Sequence, residues 1–186
     1  IRPGEGGVAL RLGGHFFLVL AATTILLTAA ESLFLVRYPA GYLPYAYLGS
    51  ALVGTGAAWL YGRAMARAAP RALSTVTTVL LAGFLAVPAL LIRFAPDVGP
   101  FVLLLLTQAY VTLCSIENVG LVQRALDSRS ARRLFPAIGA LGGIGATGGA
   151  LFVGACANLL GPTGFLAAAA ALLLLAVPAA RYGSAS

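Results

Sequence analysis

Six apolar runs, each close to the length that crosses a bilayer, follow one another with only short breaks, and that succession leaves few folds open to the chain. A helical crossing needs about 20 mostly apolar residues. Breaks at arginine, proline and glycine clusters place the runs at approximately His15–Val36, Leu43–Met65, Leu73–Phe94, Phe101–Val122, Leu134–Leu160 and Phe165–Ala180, the last being the shortest. With 60% hydrophobic and 9% charged residues, the 186-residue chain is too apolar to hide its side chains in one water-solvated core. Lipid is the expected solvent, and the expected class is an all-α membrane bundle spanning residues 14–182, with a cytoplasmic segment at 1–13 and a cytoplasmic tail at 183–186.

The links alternate in character. Tyr38–Tyr42, Ala95–Pro100 and Gly161–Gly164 are turn-rich, whereas the links after the second and fourth runs carry arginine. Short links make sequential helices antiparallel neighbours. Lysine is absent, so the formal charge of +7 is carried by twelve arginines. Ten of these (Arg2, Arg11, Arg63, Arg67, Arg71, Arg124, Arg129, Arg132, Arg133 and Arg181) fall on one side of the six-span arrangement, and only Arg37 and Arg93 on the other. Basic residues near helix ends are retained on the cytoplasmic side, so both termini are expected inside, in a multi-pass protein of the cell inner membrane. Tyr38, Tyr42, Tyr45, Tyr47, Phe94 and Phe101 then gather at the outer boundary, and Phe16, Phe17, Trp59, Tyr61, Phe135 and Tyr182 at the inner one, as interfacial aromatics do. Arginines that punctuate apolar runs mark topology, so nucleic acid is not an expected partner; membrane lipid is. The first run is followed by five more, which is unlike a cleaved signal peptide. The chain starts at Ile1, and further sequence is expected upstream.

Enzymatic constellations are missing. One histidine, five acids and two cysteines inside apolar stretches (Cys114 and Cys156) supply neither a metal cluster nor a triad, and no lysine exists for a phosphate-binding loop. No enzyme activity and no cofactor is expected. Gly143-Ile144-Gly145-Ala146-Thr147-Gly148 has the spacing of a dinucleotide fingerprint, but no strand precedes it and the position of the ribose-binding acid is an alanine run, Ala167–Ala171. The glycines read better as two offset pairs for close helix packing, Gly139/Gly143 and Gly145/Gly149, facing more than one neighbour.

Two stretches carry a family likeness. Gly62, Arg67 and Arg71, between the second and third runs, resemble the cytoplasmic loop signature of the major facilitator superfamily, with Ala66 where that signature has an aspartate. Glu31-Ser32-Leu33-Phe34-Leu35, Leu43-Pro44-Tyr45-Ala46-Tyr47-Leu48 and Asp127 through Gly139 (DSRSARRLFPAIG) resemble the ATP/ADP translocase branch of that fold. The likeness runs over most of the chain. It departs at Leu26–Ala30, where relatives of that branch carry basic residues ahead of the acidic position. The resemblance implies a six-helix half made of two three-helix units in inverted orientation. It also implies a second six-helix half or another membrane subunit as partner, and transport of a nucleotide or other anion. The alternative expectation is a non-transporting structural or sensor subunit that binds partners through its glycine-rich fifth run.

Charges inside a membrane cost roughly 2.5 to 3.5 kcal/mol on insertion scales and mark functional candidates. Glu31 and Glu117 are the two acids at membrane depth, accompanied by Gln108, Asn118, Thr23, Thr24 and Thr28. In the fold that the resemblance implies, the first and fourth runs line the central cavity and both acids face it. Glu31 lies sixteen residues beyond His15, about 24 Å along a helix, and Glu117 sixteen residues beyond Phe101 on a helix of opposite sense, so the two sit at opposite ends. Glu31 is expected to bind a proton or cation, or to pair with Arg37 or Arg93. Glu117 is expected to pair with Arg63 or Arg67. Most of the polar groups on these runs are expected to bond neighbouring helices, and His15 to be solvated at the inner boundary.

Overall fold

A computed structural model describes residues 5–66, 90 and 94–182. Every regular element among them is helical: α1 (Glu5–Arg37), a single 3-10 turn (Ala40–Tyr42), α2 (Leu43–Met65), α3 (Gly99–Ala125), α4 (Ser128–Cys156) and α5 (Pro162–Tyr182). Proline sets several of the starts. Pro44, Pro100 and Pro162 lie in the first turns of α2, α3 and α5, where a missing N–H costs nothing. Pro136 lies inside α4 and removes one intrahelical hydrogen bond there.

α1, α3 and α4 are each long and apolar enough to cross a membrane. α2 has the length, 23 residues, but serines, threonines, tyrosines and glycines dilute its apolar windows. In α5 the apolar stretch runs over Gly164–Ala176. Six spans were expected, and three helices among the described residues meet both criteria. The third run, Leu73–Phe94, falls almost wholly outside those residues. α1 begins at Glu5, ten residues before the expected His15, because Arg11 lowers hydropathy without breaking a helix.

Large apolar side chains also cover the outer faces of the described helices. Leu48, Leu52 and Leu60 on α2, Leu151 on α4, Leu159 in the turn after it, and Leu174 and Leu175 on α5 are all more than half exposed. Surfaces of that kind are stable against hydrocarbon, and helices satisfy their backbone hydrogen bonds internally there.

α1 is the central helix, packed against α4, α5 and α3. Ala22, Leu26, Ala30 and Phe34 of α1 meet Leu103, Leu104 and Tyr110 of α3 and Leu166, Ala169 and Leu173 of α5 in one core. A second cluster joins Leu12 and Phe16 to Val122, Leu134 and Ile138.

Two helix pairs pack closely through glycine, and both are parallel. On α4, Gly142, Gly145 and Gly149 lie against Leu20, Phe17 and Ala21 of α1, while Leu141 lies against Gly13. A Cβ added at Gly145 would stand 2.7 Å from the Phe17 Cα, and one at Gly149 would stand 2.6 Å from the Ala21 carbonyl oxygen. On α2, Gly49 meets Leu105 and Gly54 meets Thr112 of α3, with Ala46, Ser50 and Gly54 forming its buried stripe. Small residues spaced by four let backbones approach in this way. Gly139 and Gly143 were expected to pack as well, but nothing lies within 4 Å of either Cβ position, so that face of α4 is open among the described residues. The connections from α1 into α2 and from α4 into α5 reverse direction, as Glu31 beside Tyr47 and His15 beside Ala176 require.

Candidate functional site: a polar groove between two tyrosine-capped acids

Along α2, Tyr47, Ser50, Ala51, Gly54, Thr55, Ala58 and Tyr61 recur at steps of three and four and so share one face. With Gln108 and Thr112 of α3, the first six line a groove of about 450 Å³. That volume lies within the range of small-molecule sites.

Each end of this face reaches an acid. Tyr47 donates its hydroxyl hydrogen bond to Glu31 Oε1 of α1 at 2.8 Å. Fourteen residues further, about 21 Å along the helix, Tyr61 donates to Glu117 Oε2 of α3. Glu117 is 5% exposed and also accepts from Arg124 Nη2 at 3.2 Å, two helical turns along its own helix. Of the arginines expected to pair with these acids, the two that are described are engaged elsewhere. Arg63 instead lies over the Trp59 ring, 4.1 Å from its centroid, and Arg37 pairs with Asp97. Arg67, Arg71 and Arg93 lie outside the described residues, and Gly62 is exposed at the end of α2.

His15 was expected at a solvated boundary, yet it is 3% exposed. Its Nδ1 lies 3.1 Å from the Ala176 carbonyl of α5, and the Asn118 side chain adjoins the ring. The early start of α1 is the cause, since it carries His15 ten residues, nearly three turns, into the helix. His15, Glu117 and Asn118 are buried, and with the partly exposed Tyr61 and Arg124 they make a polar layer that touches α1, α2, α3 and α5. The opposite end is tied by the Arg37–Asp97 pair, by the Tyr38 hydroxyl donating to the Asp97 carbonyl, and by rings of Phe34, Tyr38, Tyr42 and Phe101 packed 4.9 to 6.4 Å apart.

Unlike the tyrosines, the serines and threonines that follow turn their hydroxyls to their own backbones rather than to neighbouring helices. Thr23 and Thr24 donate to the Leu20 carbonyl, Thr28 to Thr24, Ser50 to Ala46, Thr55 to Ala51 and Thr112 to Gln108, at 2.7 to 3.0 Å. The Thr107 and Tyr110 hydroxyls are buried on the core side of α3, that of Thr107 with no hydrogen-bond partner among the described residues and that of Tyr110 beside the Cys114 thiol. Among the described residues no three of histidine, cysteine, aspartate and glutamate stand together as a metal site.

The fold and this site define an all-helical chain with membrane-length apolar helices and a polar groove between two of its helices. No protein-family model, curated protein or solved structure matches it.

Proposed function

We propose that the chain is one six-helix half of a major facilitator-type carrier, inserted in the inner membrane with both termini on the cytoplasmic side. The observation that carries this reading is the pairing of helices. Counting the expected runs, α1 is the first, α2 the second, α3 the fourth and α4 the fifth. The close parallel pairs are first with fifth and second with fourth. Exchanging the first three runs for the last three turns one pair into the other, as an inverted repeat of three helices demands. α2 and α3 are parallel, so the chain between Met65 and Gly99 joins opposite ends of the bundle, and the apolar run at Leu73–Phe94 has the length to make that crossing.

In this reading the groove between α2 and α3, with Glu31 and Glu117 at its ends, belongs to the water-filled pathway. A carrier needs a second half to alternate access, supplied by another six-helix unit or a second copy. The test is uptake of a labelled panel of small anions, cations and neutral solutes into liposomes holding the full-length protein. Saturable uptake of one member supports the reading, and no uptake across the panel overturns it.

A second reading, a non-transporting subunit that docks partners, is favoured by the open glycine face of α4 at Gly139 and Gly143. Under it, Gly143→Leu dissolves a stable complex while Glu31→Gln changes nothing.

A further inference from the structure

The groove between α2 and α3 accepts hydrogen bonds far more than it donates them. Ser50, Thr55 and Thr112 each commit their hydroxyl proton to a carbonyl four residues back on their own helix, and Tyr47 commits its proton to Glu31. What these four oxygens turn toward the groove is lone pairs. The Gln108 carboxamide is the one lining group that brings protons of its own, and it brings an acceptor oxygen with them. None of the lining residues is basic.

Charge points the same way. Glu117 is neutralised by Arg124, and Arg37 is taken by Asp97. Glu31, at the mouth of the groove beside Tyr47, has a neutral phenol as its hydrogen-bond partner, and no arginine pairs with it among the described residues. A carboxylate at membrane depth is stable where an arginine, water or a cationic ligand reaches it, and Glu31 is half-buried beside an exposed Tyr47, open to a ligand in the groove. Between the oxygens the walls are Ala51, Gly54 and Ala58, which suit a short alkyl body.

We propose that this groove binds a small organic cation of the alkylammonium class, its charged nitrogen at Glu31 and Tyr47 and its alkyl portion along Ala51, Gly54 and Ala58. The inference rests on the carrier reading for the groove's access to water, and it replaces the anionic substrate that the family resemblance implied.

Butylammonium, butyrate and butanol share size and shape and differ in charge, so they serve as the probes, with ADP as a fourth. Binding to the full-length protein in detergent is read by displacement of labelled butylammonium. The expected result is saturable butylammonium binding that butyrate, butanol and ADP displace poorly. Glu31→Gln is expected to weaken binding by about tenfold or more, as loss of one partner of a half-desolvated charge pair does. Ala51→Leu, which fills an exposed position of the groove wall, is expected to abolish it. Should Glu31→Gln fail to fold, Ala51→Leu alone decides. Butyrate or ADP binding as tightly as butylammonium overturns the inference, as does absence of butylammonium binding or binding untouched by the substitutions. Butylammonium binding without liposome flux of any solute leaves the inference standing and overturns the carrier reading. Flux of ADP or butyrate with no amine binding does the reverse.

Discussion

Replacing Gly145 by alanine tests the close approach of α1 and α4. The added methyl carbon would stand 2.7 Å from the Phe17 Cα and 2.8 Å from its carbonyl carbon, and nearer still to its carbonyl oxygen. Carbon atoms settle at about 3.6 Å, so the helices must part by about 0.9 Å at this point. The obstacle is backbone, which cannot swing aside as a side chain can. Overpacking of this kind costs about 1–3 kcal/mol, while the better helix propensity of alanine returns about 1 kcal/mol. The net expectation is a loss of up to about 2 kcal/mol. Gly143→Ala provides the control two residues away. No atom lies within 4 Å of its Cβ position, so only the propensity gain remains and stability rises by up to about 1 kcal/mol. Unfolding of the purified protein in mixed micelles with increasing SDS, followed by circular dichroism, measures both. Equal effects of the two substitutions, or a stabilising Gly145→Ala, would refute the parallel glycine-mediated contact.

Three further outcomes follow from the polar layers. Glu117→Ala removes the carboxylate that accepts from Arg124 and from the Tyr61 hydroxyl, and because the Arg124 side chain is 29% exposed and can reach solvent, it is expected to lower stability by about 1–2 kcal/mol in the same titration; Tyr61→Phe is expected to cost about 1 kcal/mol, and the double substitution less than the sum. Asp97→Asn is expected to change stability by less than about 1 kcal/mol, because the Arg37–Asp97 side chains are 56% and 71% exposed and Tyr38 bonds the backbone carbonyl, which the substitution keeps. His15→Phe keeps a ring of similar size but loses the ring nitrogen facing the Ala176 carbonyl and the contact with Asn118, and a cost of about 1–2 kcal/mol, read by the same unfolding curve, is expected; an unchanged curve would return His15 to the solvated boundary.

Hydropathy and link chemistry were enough to find the five α-helices of the described residues. The second run, Leu43–Met65, coincides with α2, because Pro44 marks its start and arginine gathers at its end. Boundaries set by hydropathy alone were poorer. The α1 segment before His15 is helical although Arg11 makes it polar, and that error alone misplaced the histidine. Partners of charged groups were least legible. Glu117 takes Arg124 from its own helix, a spacing of seven that puts both on one face and was visible in the sequence. Its second partner, Tyr61, depends on the parallel register of α2 and α3, which no local signal encodes. The two glycine pairs on α4 look alike in sequence, and packing on α1 distinguishes them: Gly145 and Gly149 face the neighbour while Gly139 and Gly143 do not. The polar face of α2 was legible as a spacing of three and four from Tyr47 to Tyr61, but hydropathy treats its serine, threonine and glycines as diluted lipid-facing residues and passes over it.

The central claim is that the chain crosses the membrane between α2 and α3, giving six spans with the termini on one side. With Cys114 and Cys156 replaced by alanine, single cysteines at Ala40, Ala66, Ala95, Asp127 and Gly161 can be labelled in intact cells with a membrane-impermeant maleimide. The account predicts labelling from outside at positions 40, 95 and 161, and labelling at 66 and 127 only after the membrane is opened. Positions 66 and 95 decide the matter, and finding both on the same side would contradict the account.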